Sequence, residues 1–176
     1  TATVAQTGRE YIDIAARLAD DAAFAAAVRA SIARGLAGSP LTDLPALVAE
    51  MRKYPFTFFA AVNTLFNALL HTPGFETVDF KRLRCTLGGG MAVQGAVAAR
   101  WKQVTGNVLT QAWGLTETSP AACINPPGLD FNGSIGLPIP STEVEIVDDA
   151  GNPQPIGQVG EICVRGPQVM KGYWNN

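Results

Sequence analysis

The stretch that most limits what this chain can fold into runs from Leu83 to Ala112. Leu83-Arg-Cys-Thr-Leu87 has the short apolar character of a strand and runs straight into Gly88, Gly89 and Gly90. After the glycines, Val93, Val97, Trp101 and Val104 recur along one helical face, which Gly106 closes. A second strand is expected over 107–112. Strand, glycine turn, helix and strand in that order predict a βαβ unit, hence a parallel sheet with its loops at the carboxyl edge, where open α/β sheets take ligands.

The second strand empties into Gln111-Ala112-Trp113-Gly114-Leu115-Thr116-Glu117-Thr118-Ser119-Pro120. Trp113 offers a flat apolar face on which a base could stack. Gly114 permits a sharp turn or a close approach. Thr116 brings a hydroxyl, and Glu117 a hard oxygen of the kind Mg²⁺ takes when it also holds phosphates. Alone, the same residues read as a strand end and a polar loop. Their position beside the glycine turn predicts that both loops line one site.

Composition narrows the partners. Of 176 residues, 47% are hydrophobic and 16% charged, so the chain is globular and long enough for one domain or parts of two. A formal charge of −2 gives no electrostatic reason to expect nucleic acid. Cys85, Cys123 and Cys163 lie far apart, form no CxxC pair and follow no secretory segment, which suits a cytoplasmic setting. Phe56 to Leu70 is interrupted by Thr57, Asn63, Thr64 and Asn67 and is too short to span a membrane.

Upstream, Tyr11, Ile14, Ala15 and Leu18 share a helical face. Asp20 or Asp21 can cap a second helix with a buried stripe of Phe24, Val28, Ile32 and Leu36, ended by Gly35, Gly38 and Pro40. The stretch Glu10 to Asp43, including Ser39-Pro40-Leu41, resembles the C-terminal helical tail of bacterial O-linked N-acetylglucosamine transferase-like (SPINDLY-type) glycosyltransferases. An unremarkable amphipathic hairpin accounts for it equally well, and the sugar-nucleotide residues of that family lie upstream of such a tail.

From Leu44 the character changes. Leu44, Leu47, Val48 and Met51 form a short helix that stops before Pro55. Phe56 to Ala60 reads as a buried strand, and Asn63 as the cap of a helix ending at His71. His71, the only histidine, sits where it would meet that helix's dipole. Beyond Pro120, the turn-rich Gly133 to Pro140 leads to alternating runs at Thr142 to Val147 and Gly160 to Arg165, joined through Asp148-Asp-Ala-Gly151. These predict antiparallel strands. Glu161 and Arg165 read as a solvated face, Tyr173 and Trp174 as structural aromatics, Met91 as core, and Cys85 and Cys123 as inert small hydrophobes.

Four segments occur in order: LGGGMAVQ (87–94), QAWGLTETSP (111–120), SIGLPIPSTEVEIVDDAGN (134–152) and GQVGEICVRGPQVMKGYW (157–174). Together they resemble the adenylate-forming acyl-CoA synthetases, most closely the long-chain fatty acid–CoA ligases, from about Leu44 onward. The resemblance implies ATP-dependent activation of a fatty acid to an acyl-adenylate, then transfer to CoA. It implies Mg²⁺ at Glu117, phosphates at Thr116 (these two as the catalytic pair), and a nucleotide pocket of Gly88, Gly89, Gly90, Gln111, Ala112, Trp113, Gly114, Leu115 and Thr116. Val62-Asn63-Thr64 resembles the acyl-pocket region, and Trp113 stands where the family usually has tyrosine. Peripheral membrane contact would belong to the full-length enzyme.

The family's upstream phosphate loop, its ribose-binding aspartate and its C-terminal domain with the catalytic lysine are not in this sequence. The expectation is therefore an α/β chain holding part of a parallel-sheet core (44–132), a small antiparallel β subdomain (133–176) and a preceding helical hairpin (1–43), a ligase fragment inactive by itself. The alternatives are a non-catalytic nucleotide-binding or interaction module, or a chimeric chain carrying the end of a glycosyltransferase.

Overall fold

The computed structural model describes residues 7–36 and 43–174. It divides into two compact units, Thr1–Ala49 and Glu50–Asn176, so the boundary falls inside a helix, later than the change of sequence character at Leu44.

In the first unit, helix α1 spans Gly8–Asp20 and α2 Ala22–Leu36. Thr7 caps α1, its Oγ1 accepting from Glu10 N–H while the Glu10 carboxylate accepts from Thr7 N–H. Asp21 opens α2 as expected, accepting from Phe24 N–H at 2.9 Å. The expected buried stripe is only partly covered: Phe24 and Val28 are half-buried and Ile32 is 56% exposed, while among the described residues no residue of α1 is buried and Ala25 is buried on α2. Two helices can cover only one face of each other, so bulky side chains beyond the contact line stay in solvent. Gly38, Pro40 and Ser39-Pro40-Leu41 lie outside the described residues. Helix α3, Leu44–Lys53, begins at Asp43, whose Oδ1 accepts from Ala46 N–H.

In the second unit the expected strands and helices form a mixed sheet of mostly parallel character and a separate antiparallel pair. Strand β1 is Phe58–Ala61, α4 Asn63–Leu70, β2 Cys85–Gly88, α5 Gly95–Thr105 and β3 Leu109–Trp113. Short strands β4 (Cys123–Ile124) and β5 (Leu137–Pro138) extend the sheet in the order β1-β2-β3-β4-β5. The first three are parallel and the last two antiparallel. The pair β6 (Glu143–Val147) and β7 (Glu161–Arg165) forms the second sheet. Asp148 organises its turn by accepting from the Ala150 and Asn152 amides.

Trp101 of α5 anchors the core. It is fully buried, stacked on Phe59 with the planes 9° apart and edge-on to Phe66 at 4.7 Å. Its indole N–H donates to Thr86 Oγ1, whose hydroxyl in turn donates to Asn107 Oδ1, so no polar atom in that chain is left unpaired.

Two local expectations are corrected here. β1 is not a buried strand: it pairs with β2 alone, its residues alternate between exposed and half-buried, and Phe58 is 54% exposed. Asn63 does not cap α4, since Val62 holds the cap position and Asn63 Oδ1 accepts from Gln94 N–H at 3.0 Å. The side chain is drawn across to an orphan amide at the start of α5, which has no side-chain cap of its own. That exchange ties α4 to the segment following the glycines.

Candidate functional site

Gly88 of β2 and Gln111 of β3 are register partners in the parallel ladder, so the two strands release their loops at one edge of the sheet. Gly89 and Gly90 turn back beside β3, where a β-carbon on Gly89 would stand 3.7 Å from the Ala112 carbonyl. Gly90 has φ +75°, a conformation glycine adopts without penalty. Opposite, β3 ends at Trp113, and a short 3₁₀ turn, Thr116–Thr118, follows. Between them lies an open cleft of about 500 Å³, lined by Leu87, Gly89, Gly90, the whole of Ala112 to Glu117, Pro120 and Ala121. The two loops picked out in the sequence therefore share one cavity.

The corner at Gly114 exists only for glycine. A β-carbon there would come within 1.9 Å of the Pro120 carbonyl oxygen, so Pro120-Ala121 passes directly against the Gly114 backbone. Thr118, buried beneath, holds the turn: its Oγ1 accepts from Leu115 N–H at 2.8 Å and lies 3.1 Å from the Pro120 carbonyl. With the turn locked from below, Thr116 is exposed and Glu117 is half-buried at the cleft rim.

Not every predicted residue faces the cavity. Gly88 is buried and points into the core, where a β-carbon would sit 2.6 Å from Val93 Cγ2. It makes room for the start of α5 and does not line the cleft. Gln111 is also buried, with both atoms of its amide bonded to protein. A second cavity of about 370 Å³ adjoins the first across Trp113, lined by Gly90, Met91, Ala92, Gln111 to Leu115 and Ile135. Met91, expected in the core, is 48% exposed on that wall, because the turn carries it outward before α5 begins.

Tyr173 and Trp174 do not pack as structural aromatics either. Trp174 is 92% exposed. The Tyr173 hydroxyl donates to Glu117 Oε1, and Met170 N–H donates to the Glu117 main-chain carbonyl at 2.8 Å. The segment after β7 thus runs along the surface to the Glu117 corner, held by Gln168, whose Nε2 donates to Thr142 Oγ1 at 2.8 Å. No periodicity marks a loop residue that meets a carboxylate 56 positions away. The Tyr173 hydroxyl, then the backbone amide of Glu117 itself, hold its carboxyl below the usual range against a smaller opposing effect of burial.

Other expectations match the packing. Cys123 is buried, and burial pushes its thiol up, which keeps it unreactive. His71 closes α4, with Nδ1 2.7 Å from the Asn67 carbonyl. Arg165 and Glu143 form an exposed pair on the β6–β7 face, as a solvated surface would. Among the described residues no group of three His, Cys, Asp or Glu side chains forms a metal cage, and no helix is long and apolar enough to cross a membrane. A lone carboxylate at a cleft rim, held in its ionised form as Glu117 is, has the chemistry of a ligand for Mg²⁺, a cation that commonly takes one or two carboxylates and fills its shell with phosphates and water.

Comparison with known proteins places the chain by family and fold. The family model for AMP-binding enzymes matches residues 22–174. A long-chain-fatty-acid–CoA ligase of Escherichia coli is 55% identical over 133 residues, covering 75% of this chain and 24% of that protein. The chain thus spans about a quarter of the length of the curated relatives it matches. Among solved structures, an anthranilate–CoA ligase in complex with anthranoyl-AMP superposes with a TM-score of 0.69 at 28% identity, covering 74% of this chain and 25% of the other. A long-chain-fatty-acid–CoA ligase from Archaeoglobus fulgidus gives 0.63 at 30% identity, covering 74% and 28%.

Proposed function

The chain belongs to the AMP-binding enzyme family, and from that premise we propose that it supplies the adenine-facing wall of an ATP-dependent long-chain fatty acid–CoA ligase. The observation that carries the reading is the single cleft shared by Gly89, Gly90, Trp113, Thr116 and Glu117. The Escherichia coli relative, 55% identical where it aligns, supports long-chain fatty acids as the acid class.

The reaction sets what the site has to do. A carboxylate is a poor electrophile, so its oxygen attacks the α-phosphorus of ATP and pyrophosphate departs. The thiol of CoA then adds to the acyl carbon, the acyl–oxygen bond to AMP breaks, and the thioester and AMP are released. Each step needs the reactants held in line and the growing charge on phosphate oxygens met by fixed donors. Trp113 takes one face of the adenine, while Gly89 and Gly90, with no side chains, let the ring lie against backbone. The Thr116 hydroxyl donates to a phosphate oxygen. Glu117 would hold Mg²⁺, which would supply positive charge against the phosphates; the Tyr173 hydroxyl orients the Glu117 carboxylate and favours its ionised form. The setting is the cytoplasm, and peripheral membrane contact belongs to the full-length enzyme. The first helical hairpin, 1–43, takes no part in the chemistry in this reading, although the match to the family model begins within it at residue 22. Its likeness to a glycosyltransferase tail is tested by whether coding sequence for TPR repeats lies upstream.

The test is nucleotide binding to the 176-residue chain. AMP should quench tryptophan fluorescence saturably, and Trp113→Ala should weaken AMP by about tenfold or more, the usual value of one stacked base. Glu117→Gln should leave AMP binding intact and remove the gain in ATP affinity that Mg²⁺ gives. Wild-type protein that binds neither nucleotide at millimolar concentration overturns the proposal.

A further inference from the structure

The side chain of Gln111 ties together three segments that the sheet does not join. Its Oε1 accepts from Val93 N–H at 2.9 Å, just beyond the glycine turn. Its Nε2 donates to the Ser134 carbonyl at 3.1 Å, in the loop before β5. The Ser134 carbonyl also accepts from Asn125 Nδ2 at 2.6 Å, and Asn125 N–H donates to the Gln111 main-chain carbonyl at 3.0 Å. Gln111 and Asn125 are both 7% exposed, and every bond they make is within the protein.

The β2–β3 ladder does not need these bonds, since Thr86, Leu87 and Gly88 pair with Leu109, Thr110 and Gln111 through the backbone. The three tied segments are instead walls. Met91 and Ala92, next to Val93, line one side of the cavity beside Trp113, and Ile135, next to Ser134, lines the other. Gly88 adds to the same lock, because its missing side chain leaves the space that Val93 fills.

We propose that Gln111 is a positioning residue: its amide, seconded by Asn125, fixes the separation of the glycine turn and the Ser134–Gly136 loop, so that the cavity beside Trp113, which shares Gly90 and Trp113 with the cleft, is preformed for its ligand. The role of the clamp in nucleotide affinity rests on the function proposed above; its role in holding the two walls does not. A preformed site binds more tightly because ordering its walls is not charged against the ligand.

The experiment compares wild type with Gln111→Glu, which keeps the size and the acceptor for Val93 but loses the donor to Ser134, and with Gln111→Met, which loses both. Amide hydrogen exchange and AMP affinity are measured on the 176-residue chain well below the melting temperature of each folded variant. If Gln111→Met fails to fold, Gln111→Glu carries the comparison. Gln111→Glu is expected to speed exchange in 134–136, and Gln111→Met to speed it at Val93 as well, with β2 and β3 unchanged. AMP should bind about tenfold more weakly to each, the effect of one lost buried hydrogen bond. A merely structural role would lower the melting temperature and leave the affinity of the folded protein alone, which overturns the proposal. Exchange that rises uniformly, or nowhere, also overturns it. If exchange changes locally as expected but wild type does not bind AMP, the wall clamp stands and the nucleotide reading falls.

Discussion

The phenol of Tyr173 donates a hydrogen bond to the carboxylate of Glu117, joining the segment after the second sheet to the corner of the cleft. The bond needs Glu117 ionised and Tyr173 neutral. It holds the Glu117 carboxyl below the usual carboxylate range and the Tyr173 phenol above its own. A depressed acid stabilises the fold above its unfolded pKa, and that contribution is lost as pH falls through the folded pKa. A raised phenol contributes below its unfolded pKa and loses that as pH rises through the folded one. The bond is therefore complete at neutral pH and fails at both extremes.

Tyr173→Phe should return the Glu117 carboxyl towards the ordinary glutamate value of about 4.3. Carbon-13 NMR of the carboxyl carbon during an acid titration reads this directly. An unchanged Glu117 titration in the variant would mean that the hydroxyl does not govern it.

Two glycines of the cleft should respond oppositely to the same added methyl. Gly114→Ala drives a β-carbon to 1.9 Å from the Pro120 carbonyl, where only backbone movement can relieve it. A loss of roughly 2 kcal/mol or more is expected in urea unfolding. Gly89→Ala meets nothing nearer than 3.7 Å, so its unfolding midpoint should stay near wild type while the methyl narrows the cleft and weakens AMP. Equal stability of the two variants would contradict the close passage at Gly114.

Trp101→Leu removes the ring on which Phe59, Phe66 and Phe75 converge and takes away the N–H that the buried Thr86 Oγ1 accepts. Large-to-small changes at buried aromatics cost about 3 kcal/mol or more. Denaturant unfolding followed by far-UV circular dichroism would measure it, and a shift under about 1 kcal/mol would place the anchor elsewhere.

The β6–β7 turn should loosen in acid. Asp148 accepts from the amide and then the side chain of Asn152, which keeps its carboxyl low despite some burial. Its contribution is present above the unfolded value, about 3.9, and disappears as pH falls through the lower folded one. Exchange of the Ala150 and Asn152 amides should rise over that interval, and Asp148→Ala should show the fast exchange already at neutral pH.

How far the residues could be read in order depended on whether their partners were near in sequence. Leu83 to Gly106 is a local unit whose periodicity and glycines specify strand, turn and helix, and α5 and β3 appear where expected. Asp21 as a cap and Gly106 as a left-handed stop are likewise decided within four residues. Asn63 shows the limit of such reasoning. A helix-start asparagine is ordinarily a cap, yet its side-chain oxygen is taken by the Gln94 amide at the head of α5. Gln111 is a second case: its place in a ligand-like motif is visible, but the use of its amide as a tie between Val93 and Ser134 is not.

The sequence by itself determined the βαβ core, the two loops that leave its edge and the family they belong to, because hydrophobic period and turn chemistry act over short spans. Only the tertiary structure decided which of those residues face the cleft. Gly88 turned inward, Met91 outward, and Tyr173 came to Glu117 from a distant surface loop. The reason is physical: a side chain's partner is set by how the sheet and helices pack, and that packing brings together residues whose spacing along the chain carries no periodic signal.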